Sequence, residues 1–314
     1  MILLTGVLVI LALGAGLVFF THLTVRRVEA ALPPTGQFID VPGARLHVVD
    51  RGRGPAVLLV HGLAGQLGHF NYGVIDELAM HYRVVAVDRP ASGYSQRTPG
   101  ASASLRAQAD ALAALIEQLA LGRVVVAGHS LGGAVALTLA QRHPERVAAL
   151  ALIAPLTHPM QHVPAAFRGL MIGRAWMRAL VAWTLAVPLS IAMREQLLRA
   201  VFAPEAVPAD FATRGGGLLA LRPSHFIAAC ADLAAIPEDL PRLVQGYGAM
   251  RLPVSILYGR SDRILDPSAQ GETLAAELPG AELTLVEGGH MLPVTAPKRT
   301  AQFIREAAAR AFSS

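Results

Sequence analysis

The stretch "VVVAGHSLGGAVAL", residues 124–137, places a polar serine where an apolar run changes to helix-like spacing. The valines before Gly128 are typical of a buried strand, and apolar residues recur at helical spacing after Ser130. A strand that ends at Gly128 and a helix that begins after Ser130 leave room only for a very tight turn. Gly128 and Gly132 flank this turn because larger side chains would collide across it. We therefore predict that the turn pushes the Ser130 side chain outward.

Short runs rich in Val and Leu recur along the chain and are separated by longer helical patterns such as 104–120 and, at the end, 297–312. These runs lie at 45–50, 56–60, 82–88, 123–128, 147–154, 254–259 and 281–287. Near-continuous apolar strands that alternate with helices indicate a parallel sheet that is covered on both faces. The sequence thus predicts an α/β domain.

Strand patterning disappears between residues 156 and 250, where Ala, Leu and Arg recur at helical spacing among many prolines. A chain of 314 residues is compatible with two domains or with one domain that carries an insertion. We interpret 156–250 as a helical cap inserted into a core formed by residues 37–155 and 251–314.

The first residues are strongly apolar. The run 2–20 contains no charge, and at 1.5 Å per residue it roughly matches the ~30 Å hydrocarbon layer of a bilayer. We therefore predict a single transmembrane anchor over residues 1–25. Arg26 and Arg27 follow directly, and the positive-inside rule favours a cytoplasmic catalytic domain, although two arginines leave the opposite side open.

Residues 26–36 are predicted to be a linker, because Pro33 and Pro34 prevent the helix from continuing. The alternative to an anchor is a cleaved signal peptide, since Val28-Glu29-Ala30 loosely resembles a cleavage site. Against this, no Lys or Arg precedes the apolar run, which also exceeds the usual ~7–15 residues.

Composition excludes several classes of protein. The net charge of +5 comes almost entirely from scattered arginines, which do not form the clustered footprint of a nucleic-acid-binding protein. The lone Cys230 excludes an internal disulfide framework. No phosphate loop or dinucleotide fingerprint is present, and the pair His158 and His162 is interrupted by Pro159 and has no evident third ligand. We expect neither a cofactor nor a metal.

Five short motifs, one of which contains the serine turn, lie in order along the chain. They are "HGLAG" (61–65), "VDRPASGYS" (87–95), "GHSLG" (128–132), "YGRSD" (258–262) and "EGGHMLP" (287–293). Together they resemble the α/β-hydrolase superfamily over roughly residues 36–312. This resemblance implies a mostly parallel central sheet with helices on both faces and a helical cap inserted after strand 6.

The same resemblance implies a triad of Ser130, Asp262 and His290. A serine hydroxyl is a poor nucleophile unless a base removes its proton, and a carboxylate holds an imidazole base in the required tautomer. The order Ser, Asp, His along the chain is the one this fold uses. The alternative for Ser130 is that its hydroxyl only caps the following helix.

Two other aspartates compete for the role of the acid. Asp266 lies four residues beyond Asp262, but its position before Pro267 suits a helix cap better. Asp88 is followed by Arg89 at the end of another predicted strand, and we interpret it as a turn or ion-pair residue.

The oxyanion of an attacked carbonyl needs two preorganised donors, for which backbone amides are suitable. We assign these to the N–H groups of Leu63 and Leu131. His61 is interpreted as a brace for the first turn, and His129 as a packing residue beside the serine turn.

The resemblance therefore implies a serine esterase that acts on small carboxylic esters through an acyl-enzyme, and the apolar insertion and the predicted anchor favour lipophilic ones. Serine at position 130 excludes the aspartate nucleophile of relatives that hydrolyse epoxides or haloalkanes. Three alternatives stay open: acyl transfer to another acceptor, a cofactor-free perhydrolase, and a non-catalytic binding protein of the same fold.

The segment 167–193 carries Trp176, Trp183 and interspersed arginines. It is expected to cover an apolar pocket, to lie in a lipid interface beside the run 2–20, or to form an ordinary buried pair of helices. Pro188 argues against a second membrane span in this segment.

Overall fold

The computed structural model describes residues 2–312; Met1 of the predicted anchor and Ser313 and Ser314 of the predicted core lie outside the described residues. Its strands are β1 (Gln37–Val41), β2 (Ala44–Arg51), β3 (Ala56–Val60), β4 (Arg83–Val87), β5 (Gln96–Arg97), β6 (Val124–His129), β7 (Val147–Ile153), β8 (Val254–Gly259) and β9 (Glu282–Val286). They form one sheet in the order β1-β2-β4-β3-β6-β7-β8-β9, with β5 paired to β2.

The sheet is parallel from β4 to β9, and antiparallel only where β2 pairs with β1, β4 and β5. β3, β6 and β7 are buried along their whole length, as the continuous apolar runs predicted. Because parallel strands end at the same edge, the loops that follow β3, β4, β6, β8 and β9 meet there.

The helices are α1 (Ile2–Ala31), α2 (Val74–Ala79), α3 (Leu105–Gln118), α4 (Leu131–Arg142), α5 (Ala175–Val181), α6 (Val187–Ala192), α7 (Arg194–Phe202), α8 (Pro223–Gln245), α9 (Thr273–Glu277), α10 (Leu292–Thr295) and α11 (Pro297–Phe312). One apolar layer joins the sheet to α3, α4 and α8, and a second joins its other face to α2 and α11. The predicted α/β-hydrolase architecture, with helices on both faces, is confirmed.

All seven predicted strands form, whereas β1 and β5 were not predicted. β1 is a partly exposed edge strand, and β5 has only two residues, so neither produces an apolar run. The helical insertion follows β7, which is the sixth strand when the two-residue β5 is left out of the count. Between residues 154 and 253 the chain forms α5–α8 and no strand.

Pro188 does not end the helix in which it lies. α5 and α6 are joined by a π-helical turn at Ala182–Ala186, and the helix continues through Pro188. The π-turn changes the pattern of backbone hydrogen bonds directly before Pro188. The N–H that proline lacks therefore disrupts the hydrogen bonding of the helix less. Within residues 2–312, two helices are long and apolar enough to cross a membrane. They are Leu3–Ala31, with a mean hydropathy of 2.6, and Ala175–Ala192, with a mean hydropathy of 1.4.

The first helix is longer than predicted. It continues to Ala31, so the predicted linker at 26–36 is helical over more than half of its length and irregular only before β1. No proline before Pro33 interrupts the helix. The residue directly before a proline disfavours helical geometry, so the helix ends before Leu32. α1 contacts Ala182–Ala186 and Gly217–Leu221 of the cap, and one stripe of it is less exposed than the rest. The members of this stripe, which recur at helical spacing, are Gly14, Leu17, Thr21, Thr24, Val25 and Val28.

Polar contacts hold the end of α1. Glu29 pairs with Arg222 at 3.0 Å, the Arg222 guanidinium lies over the Tyr94 ring at 4.7 Å, and the Tyr94 hydroxyl donates to the carbonyl of Leu32. α1 is therefore attached to both the cap and the core.

Candidate active site

Ser130 occupies the sharp turn between β6 and α4. Its φ of +54° lies in the left-handed region, which costs a non-glycine residue about 1–3 kcal/mol. A Cβ on Gly128 would lie 2.5 Å from the carbonyl oxygen of Gly132, and one on Gly132 would lie 2.3 Å from that of Val60. Both glycines are thus required by close backbone contacts, as predicted. The Ser130 side chain makes no capping hydrogen bond to α4, so helix capping does not explain it.

Asp262 follows β8, His290 follows β9, and a hydrogen bond joins their side chains. His290 Nδ1 lies 2.8 Å from Asp262 Oδ2, and both side chains are buried. The other carboxylate oxygen, Oδ1, accepts hydrogen bonds from the N–H groups of Ile264 and Leu265 at 2.8 and 3.0 Å. The carboxylate is therefore fixed in a position to receive Nδ1–H, which leaves Nε2 as the basic nitrogen.

The competing aspartates have structural contacts. Asp266 is exposed, and its Oδ1 accepts from the N–H groups of Ser268 and Ala269, as a helix-capping residue does. Asp88 is buried and accepts from Leu67 N, Tyr94 N and His47 Nδ1. Its partner is thus His47, 2.8 Å away, rather than the adjacent Arg89.

The turn after β3 is held by donors that converge on the Gly62 carbonyl. His61 Nδ1 lies 2.9 Å from this oxygen, Arg89 Nη2 donates to it at 2.9 Å, and Gly65 N donates at 3.2 Å. Because C=O and N–H point in opposite directions across a trans peptide, these bonds also fix the direction of the Leu63 N–H. Leu131 is the first residue of α4, where an N–H has no partner within the helix.

The two histidines next to these turns are braces. His61 Nε2 accepts from Arg89 N, so its Nδ1 carries the proton that is donated to Gly62. Burial lowers the pKa of His61 well below its usual value, and Arg89 lowers it further. His129 Nε2 lies 3.0 Å from the His290 carbonyl and holds the loop that carries the candidate base. Both agree with the roles expected from the sequence.

A cavity of about 640 Å³ joins these parts. Ser130, His290 and Leu63 lie in its wall beneath the cap. The wall is mainly apolar, and the cap contributes much of it, from Val181 to Phe202 and again from Phe211 to Ala229. Trp176 and Trp183 are absent from this wall and are 62% and 40% exposed. The cap thus covers the serine turn with an apolar chamber.

The sequence profile of the alpha/beta hydrolase fold family matches residues 55–297, which is more than half of the chain. The chain belongs to the α/β-hydrolase fold family. A 2-hydroxy-6-oxononadienedioate/2-hydroxy-6-oxononatrienedioate hydrolase of Burkholderia vietnamiensis is 29% identical to this α/β hydrolase over 83% of this chain and 89% of its own.

Two solved structures extend the similarity. A thermophilic esterase from Thermogutta terrifontis with bound malate has a TM-score of 0.69 and 27% identity, and the match covers 88% of this chain and 99% of the esterase. A membrane phospholipase A, described as a bacterial virulence factor, has a TM-score of 0.69 and 27% identity over 99% of both chains. The second match includes α1, so the likeness extends to the amino-terminal helix.

Arg89 and Asp232 are site residues that the sequence did not reveal. Arg89 is fully buried and also donates from Nε to the His61 carbonyl at 2.9 Å. Its Nη1 pairs with Asp232 of α8 at 2.7 Å, and Asp232 accepts from Arg97 at 2.7 Å as well. The position of Arg89 inside "VDRPASGYS" was the only local signal, and Asp232 lies 143 residues away.

The cap of this α/β hydrolase is hydrogen-bonded to the loops of the site. Gln66 donates to the Gly215 carbonyl beside the first turn. Glu205 accepts from Gly289 N at 2.9 Å, directly before His290. Asp232 reaches the first turn through Arg89. Cap and catalytic loops therefore support one another.

His158, one of the two histidines considered as metal ligands, lies 2.8 Å from Thr157 Oγ1 and 3.0 Å from Glu277. Among residues 2–312, no group of three or more His, Cys, Asp or Glu side chains is arranged to share a metal ion.

Proposed function

We propose that this α/β hydrolase cleaves carboxylic ester bonds, with Ser130 as nucleophile, His290 as base and Asp262 as the carboxylate that orients it. The observation that carries the proposal is the position of Ser130. Its backbone is strained, its hydroxyl caps nothing, and it faces the same cavity as a histidine bonded to a buried carboxylate. Strain of this kind persists at functional sites, where the surrounding structure maintains it.

The reaction proceeds in two steps. Ser130 Oγ attacks the ester carbonyl while His290 Nε2 takes its proton, and Asp262 stabilises the imidazolium that forms. The N–H groups of Leu63 and Leu131 receive the developing oxyanion. His290 then returns the proton to the leaving alcohol, which leaves an acyl-serine. A water molecule, deprotonated by the same imidazole, releases the acid and restores the hydroxyl.

A fluorophosphonate probe tests this proposal directly, because it reacts only with an activated serine. The full-length protein in detergent is expected to be labelled once and to hydrolyse p-nitrophenyl esters. Ser130→Ala is expected to lose both properties while it keeps its circular dichroism spectrum. Labelling that survives this substitution would place the nucleophile elsewhere.

Lipophilic substrates suit this cavity. Most of the wall consists of aliphatic and aromatic side chains such as Leu189, Leu197 and Phe202. Its polar members are Gln66, His69, His129, Ser130, Ser190, Arg194, His225 and His290. An apolar chamber of about 640 Å³ suits an acyl chain, since pockets of about 300–1,000 Å³ take drug-sized ligands. Rates on p-nitrophenyl esters of graded length are expected to rise from acetate to medium chains.

We also propose that α1 anchors the protein in a membrane and that the cap contacts the same bilayer. A hydrocarbon layer of ~30 Å needs about 20 residues, so the uncharged run 2–20 is long enough only if nearly all of it is embedded. α1 contacts Ala182–Ala186 and Gly217–Leu221 of the cap, and Gly14 and Leu17 of this run are less exposed than their neighbours. An embedded α1 would therefore hold this part of the cap close to the membrane.

The surface of the cap supports this contact. Met171, Trp176, Leu180, Leu185, Leu189, Ile191 and Met193 are all large, apolar and substantially exposed. Leu189, Ile191 and Met193 also lie in the wall of the cavity, which brings the chamber to this surface. An ester dissolved in the bilayer would therefore reach Ser130 through apolar surroundings.

An anchor is favoured over a cleaved signal peptide by the contacts of α1. Cleavage after Ala30 would remove the buried Thr21 and Val28 and the ion pair between Glu29 and Arg222. The membrane-bound protein is expected to retain its amino terminus, which its intact mass checks. Arg26 and Arg27 favour a cytoplasmic domain, and a reporter fused after residue 314 would identify its side.

A further inference from the structure

Two buried histidines in the cavity wall have ring nitrogens without hydrogen-bond partners. His69 follows the first turn, on a short helix at Leu67–Phe70, and His225 lies in the first turn of α8 in the cap. Nδ1 of His69 and both nitrogens of His225 form no hydrogen bond. Buried polar atoms are nearly always bonded, so unpaired atoms in the wall of a cavity point to a ligand that bonds with them.

Most other polar side chains of the wall near Ser130 have assigned partners. Gln66 donates to the carbonyl of Gly215 and accepts from Gly68 N at 2.7 Å. His129 is bonded to the His290 carbonyl, and His290 to Asp262. Nδ1 of His129 also lacks a partner, but His129 is held through its Nε2, whereas no hydrogen bond holds the ring of His225.

Both histidines lie close to the reacting groups. His69 and His225 line the same cavity as Ser130 and His290, and the ring centroid of His69 is 5.6 Å from that of Phe211. Ala64 and the proposed oxyanion donor Leu63 also line this cavity. The two imidazoles therefore lie near the ester bond of a bound substrate rather than along its apolar chain.

The protonation state of the pair selects an uncharged partner. Burial lowers the pKa of His225, and it lowers the pKa of His69 to about 4, so both rings are neutral at neutral pH. A neutral imidazole offers one donor and one acceptor. A hydroxyl group also offers both, whereas a carboxylate or phosphate would find no positive charge on these rings.

We propose that His69 and His225 form a polar subsite that binds a free hydroxyl group near the scissile ester bond. This inference rests on the esterase function proposed above and narrows its substrates to lipophilic esters that carry such a hydroxyl. The hydroxyl belongs either to the alcohol, as in a partial ester of a polyol, or to the acid, as in a hydroxyacyl ester.

Two matched pairs of soluble esters distinguish these sources. Glycerol monobutyrate is compared with propyl butyrate, and methyl 3-hydroxybutyrate with methyl butyrate, using the full-length protein in detergent. His225→Phe and His69→Phe are each expected to lower kcat/KM for the hydroxylated member of one pair by about 5- to 10-fold, as loss of a hydrogen bond does. The plain ester is expected to change less than twofold, on the order of experimental error in such comparisons.

His225→Gln keeps a donor and an acceptor and is expected to restore part of the selectivity. His81→Phe, on the exposed surface, serves as the matched control and is expected to leave both ratios unchanged. An equal loss on both members of each pair would show a merely structural role and overturn the proposal, as would unchanged ratios in both pairs. Absence of hydrolysis of all four esters by the wild type would instead overturn the esterase function.

Thermal unfolding provides a second measurement. A buried polar group without a partner costs stability, so an aromatic replacement of similar size is expected to leave Tm unchanged or to raise it. A fall in Tm for both Phe variants, together with unselective losses of rate, would show that the histidines serve packing instead.

Discussion

The hydrolase core and the cap place their polar and apolar groups in opposite ways. In the core, polar side chains collect at one edge of the sheet and are bonded to neighbouring groups, as Asp262 and Arg89 are. In the cap, polar side chains such as Asp232 and Glu205 point inward to the loops of the site, while several large apolar ones, such as Trp176 and Leu180, are exposed. The core is thus organised around a reaction, and the outer face of the cap suits contact with lipid.

The largest expected effect is a loss of turnover caused by a substitution in the core. Ser130→Ala removes the nucleophile and is expected to lower turnover on p-nitrophenyl butyrate by a factor on the order of a million, the scale seen for a lost catalytic serine. Arg89 and Asp262 remain in place, so the unfolding midpoint is expected to change little. Turnover near the wild-type level would remove Ser130 from the proposed mechanism.

The acid of the triad comes next. Asp262→Asn is expected to lower turnover by about 10⁴-fold, because an amide favours the wrong tautomer of His290. Asp266→Asn is the matched control, since Asp266 only caps exposed backbone, and it is expected to change turnover little. Steady-state kinetics of both variants check this order, and a reversed order would assign the acid to Asp266.

The attachment of the cap to the core is tested through stability. Asp232→Asn leaves the buried Arg89 and its neighbour Arg97 without a carboxylate, which is expected to cost about 3–5 kcal/mol in the free energy of unfolding. Because Arg89 also holds the Gly62 carbonyl, kcat is expected to fall more than KM rises. Denaturant unfolding and steady-state kinetics provide the two measurements.

Asp110→Asn is the control for this comparison, because Asp110 pairs with Arg142 at the surface, where an ion pair contributes about 0–1 kcal/mol. Equal losses of stability in the two variants would mean that the Asp232 cluster does not join cap and core as described.

The smallest effect concerns the outer face of the cap. Trp176→Glu is expected to lower the rate on esters presented in vesicles by about tenfold, a change of ~1.4 kcal/mol that lies below the burial energy of a large apolar side chain. The rate on a water-soluble ester is expected to remain unchanged, since Trp176 lies outside the cavity wall.

Met80→Glu is the matched control for this variant, because Met80 is 64% exposed at the end of α2, outside the cap. If both variants lower the vesicle rate equally, the cap has no special contact with the bilayer.

α1 changes the interpretation of an amino-terminal deletion. The sequence predicts an anchor that a linker separates from the core, but Thr21 and Val28 are buried, and α1 contacts the cap. Removal of residues 2–13 spares this contact, whereas removal of residues 2–30 exposes the cap. The two deletions therefore separate anchoring from support of the cap.

Local patterns made much of the core predictable. A tight turn requires small residues at set positions, as Gly128 and Gly132 show, and a parallel strand buried on both faces requires a continuous apolar run, as in β3 and β7. The motifs that contain Ser130, Asp262 and His290 follow strands that end at one edge. Such constraints act within a few residues, so they leave a readable trace in the sequence.

Other features depend on contacts between distant parts of the chain. Asp232 is one aspartate among several on a helix until the fold brings it to Arg89, 143 residues away. His69 and His225 become a candidate subsite only because the cap places α8 above the first turn. The same is true of α1, whose apolar residues indicate a membrane but not a partner. Burial and charge pairing depend on which surfaces meet, and that is established by packing in three dimensions rather than by the spacing of residues along the chain.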